Sequence, residues 1–352
     1  MSQQKRKALA AGAAVAGGVV LAAAACSSSG SSTAASSSSL SVCNVTSVAN
    51  QVLPSVVTIS VKGPSGAGTG SGEVIRSNGY ILTNNHVIAA AATGGTIDVQ
   101  FSDGTTSPAT LVGRDPLTDL AVIKVSTTHN LKVIAMGESS SVVVGQAVVV
   151  LGAPLGLSDT VTSGIVSALD RTVEVPGEND KNALLVSAVQ TDAAINPGNS
   201  GGSMVNCNGQ LIGVPSAGAT VPSASGESSG GSIGLGFAIP VDLAKTISDE
   251  IISTGHVTHA FFGVQTVPVP AAATEGQVPA GLFVKAVVPS GPAEAAGLLA
   301  GDVITSVNGQ PAASNTQLQE ITITKSPGDK IPIDYWRNGH TTKTTITLGT
   351  QP

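Results

Sequence analysis

The sequence predicts a mostly β chain, built as antiparallel barrels or a sandwich, with a smaller α+β domain after it. Short apolar runs recur from about residue 47 to 240 and are separated by Asn-Gly and Asp-Gly pairs. Both pairs favour hairpin turns because their residues tolerate positive φ. A helical pattern follows near residue 245, and the block 259–350 then has its own strands and turns. Pattern alone does not separate barrels from a sandwich.

The chain begins with the features of an export signal. Lys5-Arg6-Lys7 precedes an uncharged stretch of Ala, Gly, Val and Leu that ends at Ala25. The alternative is a single membrane span, for which the stretch is only just long enough. The run Ala23-Ala24-Ala25-Cys26 resembles a bacterial lipoprotein processing box. We therefore expect residues 1–25 to be a lipoprotein-type signal peptide and Cys26 to be lipidated, with simple cleavage or a retained anchor as alternatives.

Residues 26–46 are dominated by Ser, with too few apolar side chains to offset the entropy of ordering, and are predicted to be a flexible tether. Two further cysteines, Cys43 and Cys207, remain. An exported chain with two thiols has one intramolecular pairing available, so a disulfide is expected, and two unpaired thiols are the alternative. The formal net charge of −6 gives no electrostatic reason to expect nucleic acid as a partner.

Three hairpins are predicted in the first large block. Their flanking runs and turns are Val74-Ile75-Arg76 and Tyr80-Ile81-Leu82 around Ser77-Asn78-Gly79, Ile97 to Phe101 before Asp103-Gly104, and Met204 to Cys207 and Leu211 to Val214 around Asn208-Gly209. A helix is predicted where apolar residues recur at helical spacing from Leu243 to Ile252, with Gly255 at its end.

The second block is predicted to contain strands, one helical turn and a possible helix. In order these are the strand Gly281 to Val288, the turn Pro292 to Ala296, the strand Val303 to Val307, the possible helix Gln317 to Thr324, and a final hairpin of Lys330 to Trp336 and Thr341 to Leu348.

Ser200 is the candidate nucleophile, because it sits between glycines at 198, 201 and 202 after a polar, turn-forming run. A Ser hydroxyl needs a base, and its tetrahedral intermediate needs backbone N–H donors aimed at one point. Taken alone, Gly-Asn-Ser-Gly-Gly fits a surface turn better. His86 follows the apolar run Tyr80-Ile81-Leu82, and Asp119 leads into another apolar run. The order His, Asp, Ser is one of several known orders for a catalytic triad.

Three blocks together resemble the HtrA (DegP-like) serine proteases: Gly70-Ser71-Gly72 through Asn84-Asn85-His86-Val87, Thr118 to Val122, and Asn196-Pro197-Gly198-Asn199-Ser200-Gly201-Gly202. The resemblance implies two six-stranded trypsin-like barrels, a triad in the cleft between them and a homo-trimer. It also implies an oxyanion hole at Gly198, Asn199 and Ser200, and a shallow apolar S1 pocket lined by Ile195 and Leu235. No cofactor is implied, and no cluster of histidine and carboxylates has metal-ligand spacing.

The block 259–350 resembles a bacterial PDZ domain through Gly301-Asp302-Val303-Ile304 and Val307-Asn308-Gly309. The family implies that Phe261-Phe262-Gly263-Val264 is the loop that accepts a peptide's terminal carboxylate, while the peptide adds a strand to the sheet. The alternative is a second structural domain with Phe261 and Phe262 in its core.

Three residues depart from related patterns. Asn199 replaces the Asp that digestive trypsin-like enzymes use for zymogen activation, Glu73 stands where an apolar residue is usual, and Pro215 removes one backbone donor from the strand expected to align substrate. Asn199 excludes the zymogen switch, and the other two leave the level of activity open.

The expected function is that of an exported serine endopeptidase acting on unfolded polypeptides, with a protease domain at 47–254 and a PDZ domain at 259–350 that binds peptide C-termini. It is expected on the outer face of the bacterial cytoplasmic membrane through a lipid anchor, or in the cell envelope or secreted. The main alternative is a chaperone-like binding module on an inactive protease scaffold. A ligand-binding lipoprotein is a third possibility, but it has no need of the triad blocks.

Overall fold

The computed structural model describes residues 43–126, 131–152, 160–178, 182–218, 232–270 and 278–351. The predicted lipidation site, Cys26, and most of the predicted tether lie outside these residues.

A closed antiparallel barrel forms the first half of the protease fold, with strand order β1-β2-β3-β6-β5-β4. Its core consists of apolar side chains that alternate along the strands, such as Ile59, Ile81 and Ile123. The short helix α2 (Asn85–Ile88) follows the third strand. The strands are β1 (Val56–Gly63), β2 (Gly66–Val74), β3 (Tyr80–Asn84), β4 (Thr96–Gln100), β5 (Thr106–Asp115) and β6 (Leu120–Val125).

The second barrel is a sheet of order β11-β8-β9-β10-β13-β12-β7, in which pairing of β11 with β12 closes six strands and β7 adds in parallel to β12. These strands are β7 (Ala135–Met136), β8 (Ala147–Gly152), β9 (Thr160–Pro176), β10 (Asn182–Thr191), β11 (Ser203–Val205), β12 (Gln210–Gly218) and β13 (Gly236–Pro240). The choice that the sequence pattern left open is therefore settled in favour of barrels, and the predicted fold class is confirmed.

A buried cluster joins the two barrels, with Val56 and Leu82 from the first and Val149 and Leu151 from the second. Glu73 pairs with both Val56 and Leu82 in register, and it is fully buried. Within the described part of the chain, neither of its carboxylate oxygens has a hydrogen-bond partner. A charged residue type thus occupies an apolar position in the core.

Helix α1 (Val45–Val52) begins inside the range predicted as tether. The side chain of Asn44 caps it by accepting from Ser47 N at 3.0 Å, and its apolar face is buried against the barrels. Cys43 is bonded to Cys207, with 5.2 Å between the Cα atoms. The helix cap and the disulfide give residues 43–46 a defined structure, so the predicted tether extends too far towards the C-terminus. The Ser-rich composition of residues 26–46 did not reveal where the ordered part begins.

Helix α3 (Val241–Thr254) is the helix predicted after the barrels, and Gly255 ends it in a left-handed conformation with φ 83°. The C-terminal unit then follows, with a sheet of order β15-β16-β17-β19-β20 and a small pair of β14 with β21. Its elements are β14 (Ala260–Phe261), β15 (Val264–Val269), β16 (Gly281–Val287), α4 (Pro292–Ala295), β17 (Val303–Val307), β18 (Gln310–Pro311), α5 (Asn315–Thr324), β19 (Lys330–Arg337), β20 (His340–Thr347) and β21 (Gly349–Thr350).

Helix α5 packs on the second barrel. Ile323 of this helix is buried with Leu184 and Val186 of β10. At the entrance to the C-terminal unit, His259 Nε2 lies 2.9 Å from Asp115 Oδ2, and both side chains are buried. The two units thus share an apolar contact and a hydrogen-bonded ion pair. No helix in the described residues is sufficiently long and apolar to cross a bilayer.

Candidate active site

His86 and Asp119 are held together by the turn that precedes β6. Asp119 adopts a left-handed conformation with φ 58°, which turns its carbonyl towards Asn85 N at 3.1 Å. Its carboxylate lies 2.8 Å from His86 Nδ1 and also accepts the His86 backbone N–H at 3.0 Å. The carboxylate is almost fully buried, whereas the imidazole is 41% exposed. This arrangement fixes the ring and leaves its other nitrogen free to face solvent.

Ser216 is a further partner of this carboxylate that the sequence analysis did not identify. Its hydroxyl donates to Asp119 Oδ2 at 2.5 Å, across 97 positions of sequence. Donors from His86 and Ser216 therefore surround one buried carboxylate. At this distance from Nδ1 the carboxylate can orient the imidazole and act as the counter-ion of an imidazolium at His86.

Ser200 and His86 line one cavity of about 340 Å³ between the barrels. The Ser200 hydroxyl donates to the carbonyl of Ser216 at 3.3 Å. Across the described ranges, no hydrogen bond joins Ser200 to His86. Catalytic hydrogen bonds often tighten only when substrate is bound, so this geometry is compatible with Ser200 and His86 acting as a pair.

The loop around Ser200 contains two glycines with positive φ, one on each side of it. Gly198 has φ 101°, and Gly201 has φ 78°. A Cβ on Gly201 would lie 2.4 Å from both Ser71 O and Thr83 Oγ1, so only glycine fits there. Asn199 is fully buried, and its amide donates to Ala194 O at 3.3 Å. A neutral residue is thus built into this position.

The two predicted pocket residues have different surroundings. Ile195 is buried, lines the cavity beside Ser200 and would contact any Cβ added at Gly236. Leu235 is 39% exposed and is not among the described residues that line the cavity. Asp192, the acid nearest before the nucleophile, accepts the Ile165 N–H at 2.7 Å and so points to β9. The described lining of the cavity contains no carboxylate.

Pro215 pairs with Ala238 of β13, and its carbonyl accepts the Gly201 N–H at 2.9 Å. The backbone of Pro215 therefore contacts the loop that contains Ser200. The carbonyl that faces Ser200 belongs to the next residue, Ser216. The predicted effect of Pro215 on substrate alignment stays a prediction.

The loop Phe261-Phe262-Gly263-Val264 lies between β14 and β15, and Gly263 has φ 73°. The Phe262 side chain is part of the core of the C-terminal unit, whereas Phe261 is half-buried. Further along β15, the Thr266 hydroxyl donates to Asn315 Oδ1 at 2.7 Å, so this strand contacts the start of α5. In the described sheet β15 is an edge strand, which is the position that an added peptide strand requires.

Three other histidines lie in the described residues, and of these His340 is exposed in β20. His256 is exposed beside Thr254, and His259 is paired with Asp115. Within the described residues no group of three or more His, Cys, Asp or Glu side chains has a metal-binding arrangement.

The comparisons agree with this architecture. Residues 70–214 match the family model of a trypsin-like peptidase domain, and residues 260–348 match that of a PDZ domain. Among solved structures, the HtrA-type protease AlgW with a decapeptide has a TM-score of 0.68 at 33% identity, covering 88% of this chain and 99% of that one. The serine endoprotease of Yersinia pestis has a TM-score of 0.65 at 34% identity, covering 88% and 98%.

Curated relatives are also serine proteases. Serine protease PepD of Mycobacterium tuberculosis is 44% identical over 87% of this chain and 66% of its own length. The periplasmic pH-dependent serine endoprotease DegQ of Escherichia coli is 36% identical over 87% of this chain and 70% of its own length, and DegP of the same species is 41% identical over 77% and 54%. The chain thus spans only about half to two thirds of several of these relatives. Identity, fold and the paired peptidase and PDZ matches together show that the chain belongs to the HtrA family of trypsin-like serine proteases.

Proposed function

We propose that this chain is an exported serine endopeptidase that cleaves unfolded or damaged polypeptides through an acyl-enzyme. The observation that carries the proposal is the buried Asp119 carboxylate, which is hydrogen-bonded to Nδ1 of His86, while His86 and Ser200 line the same cavity. In this reading His86 takes the Ser200 proton and returns it to the leaving amine. Asp119 fixes the tautomer and stabilises the imidazolium.

The backbone N–H groups of Gly198 and Ser200 are the proposed oxyanion donors, with Asn199 buried between them. Such donors contribute because they face the position where negative charge develops in the transition state. Neither N–H donates to an acceptor in the described part of the protein. Both are therefore available to a substrate oxygen.

Ile195 is the proposed S1 residue. Because the described cavity lining lacks a carboxylate, a Lys or Arg side chain would have to bury an unpaired charge there. An apolar side chain such as Val, Ile, Ala or Leu fits the site. These side chains are buried in folded proteins, so this preference directs cleavage to unfolded chains.

Peptide C-termini are the proposed ligands of the PDZ domain. The terminal carboxylate would meet the backbone of the loop from Phe261 to Val264, and the peptide would extend the sheet at β15.

We also propose a homo-trimer for the protein in solution. The molecular mass measured by light scattering tests this proposal.

Hydrolysis of casein by the parent, Ser200→Ala and His86→Ala tests the enzymatic proposal. Loss of either residue should lower the rate by roughly 10⁴-fold or more. His256→Ala is the matched histidine control, since this residue is exposed and outside the cavity, and it should cleave at the parental rate. Equal loss of casein with the parent and Ser200→Ala contradicts the proposal. If the parent binds casein but does not cleave it, the result supports the alternative of a chaperone-like binding module.

For localisation, we propose a lipoprotein held on the outer face of the cytoplasmic membrane through Cys26. Cys26→Ser should then leave the chain unprocessed or release it, because the acyl acceptor is lost. Detergent partitioning of the parent and Cys26→Ser measures this. If residues 1–25 are instead a retained membrane span, the two forms should partition equally. A single acyl chain binds weakly, so stable anchoring relies on the diacylglyceryl group of a bacterial lipoprotein.

A further inference from the structure

Ser71 connects the first barrel to the nucleophile loop of the second. It lies in β2 and is fully buried. Its hydroxyl donates to the carbonyl of Gly198 at 2.6 Å, and its backbone N–H donates to the carbonyl of Ser200 at 2.9 Å. One residue of the first barrel thus contacts the peptide groups on both sides of the Asn199–Ser200 bond.

The contact with Gly198 is placed where it affects the proposed oxyanion hole. The Gly198 carbonyl belongs to the peptide unit between residues 198 and 199. On either side of it lie the units that carry the N–H groups of Gly198 and Ser200. Gly198 has no Cβ and sits at φ 101°, so its own backbone restricts rotation of this peptide weakly. The hydrogen bond from Ser71 supplies the missing restriction.

The surroundings of Ser71 are shaped to hold that side chain. A Cβ added at Gly152 would lie 3.1 Å from Ser71 Oγ, and one added at Gly202 would lie 3.2 Å from Ser71 Cβ. Behind Ser71, its carbonyl accepts the Thr83 hydroxyl at 2.6 Å. Thr83 lies in β3, three residues before His86. The hydrogen bonds of Ser71 therefore also reach the strand that leads to His86.

We propose that Ser71 is a positioning residue, which holds the Gly198–Asn199 peptide so that the N–H groups of Gly198 and Ser200 point to one oxyanion site. This inference rests on the proposed proteolytic function. Ser71 itself is not among the residues that line the substrate cavity, so its effect should fall on the chemical step and not on substrate binding.

The test compares Ser71→Ala with Ser203→Ala. Ser203 is the matched control, because its hydroxyl is also fully buried beside this loop but has no hydrogen-bond partner in the described residues. Both variants remove one oxygen atom from the interior. Ser71→Ala should lower kcat on a peptide substrate by about 10- to 100-fold, with KM unchanged, since direct loss of one oxyanion donor costs about 10²- to 10³-fold.

A peptide boronate forms a tetrahedral adduct with the nucleophile and reports on the oxyanion site. Its inhibition constant should rise with Ser71→Ala by a factor similar to the fall in kcat, and it should not change with Ser203→Ala. Ser71→Cys keeps the shape with a weaker donor and should lie between parent and Ser71→Ala. Thermal unfolding of each variant separates a folding defect from this effect.

Three outcomes are distinguishable. If the parent is inactive, the proposed function fails. If the parent is active and Ser71→Ala keeps the parental kcat and boronate affinity, the positioning role is wrong. If Ser71→Ala and Ser203→Ala lose activity equally and in proportion to their folded fractions, Ser71 has only a packing role.

Discussion

Glu73 is a buried carboxyl group without a described hydrogen-bond partner, and burial raises its pKa well above the usual 4.5. A carboxyl group with a raised pKa in the folded protein ionises first in the unfolded chain. The free energy of unfolding therefore falls as pH rises from the unfolded pKa towards the folded pKa. Glu73→Val should therefore raise the free energy of unfolding at neutral pH, by about 1–3 kcal/mol for an unsatisfied buried group. The gain should shrink as pH falls towards 4.5.

Urea denaturation at several pH values measures this. Glu73→Gln is the control, since it keeps the shape and the unpaired polar atoms but cannot ionise. It should flatten the dependence on pH relative to the parent without the full gain of Val. A stability difference between parent and Glu73→Val that is constant with pH would contradict the assignment of a buried, ionisable carboxyl.

At Ile195 the prediction concerns specificity. The pocket should select Val, Ile, Ala or Leu before the cleaved bond, with discrimination of about 1–3 kcal/mol per methylene. Ile195→Ala should shift cleavage towards larger apolar residues because it deepens the site. Leu235→Ala, at the exposed residue outside the described cavity, should shift it less. Sequencing the products from a denatured protein measures both, and predominant cuts after Lys or Arg would refute the pocket while leaving the triad intact.

Single residues also show what sequence could predict of the site. His86, Asp119 and Ser200 are predicted as the triad because each lies in a short pattern with its own chemical logic, and the structure brings His86 close to Asp119 and to the cavity beside Ser200. The contacts of Ser216 and Ser71 do not follow from the sequence, because their partners lie 97 and 127 positions away. Ser71 lies in one of the three motif blocks, but a Ser in a strand carries no local signal of such a contact. The family pattern implies that Leu235 lines the pocket, whereas in the structure it is 39% exposed and follows Gly234, which has φ 79°.

Among the elements, the Cys43–Cys207 bond fastens the start of α1 to the turn between β11 and β12. It closes a loop of sequence separation 164. In the chain-entropy model, closing such a loop raises the free energy of unfolding by about 5 kcal/mol. This is an upper value, because residual structure in the denatured chain reduces the effect. Cys43→Ser should therefore lower the denaturation midpoint substantially. Cys207→Ser and the double variant should give the same loss, and additive losses would contradict a bond between the two.

Elements were predicted well where turn residues define them. The β2–β3 and β11–β12 hairpins follow from their Asn-Gly pairs, and α3 follows from helical spacing and Gly255. The long strands β9 and β10 were not predicted, because their register shifts interrupt the alternation of apolar residues. Helix α1 was missed because it has only eight residues and its stability comes from packing on the barrels.

For the whole molecule, the pair of His259 and Asp115 connects the PDZ unit to the protease. Burial lowers the pKa of His259, but hydrogen bonding to Asp115 and the charge of that residue, with smaller contributions from Glu250 and the Thr322 backbone, outweigh this and raise the pKa above the usual 6.5. A raised histidine pKa means that the stabilising contribution is fully present below pH 6.5 and is lost as pH rises through the folded pKa. Docking of the PDZ unit should therefore weaken on the alkaline side.

Hydrogen exchange of α5 and β10 as a function of pH measures this docking. Protection should fall above neutral pH in the parent. Asp115→Asn should remove most of the pH dependence, because a neutral amide does not favour the imidazolium. His256→Ala, at the exposed histidine nearby, should behave like the parent. Protection that is independent of pH in all three proteins would show that the apolar contact of Ile323 with Leu184 and Val186 alone decides docking.

The disulfide also determines where in the cell this fold reaches full stability. The bond can form and persist only in an oxidising compartment. A chain still in the reducing cytosol has Cys43 and Cys207 as thiols, so helix α1 is tied to the β11–β12 turn by packing alone. The proposed endopeptidase activity would be a hazard to the proteins among which the chain is synthesised. Under the proposed export, the oxidation step delays full stability until the chain has left the cytosol.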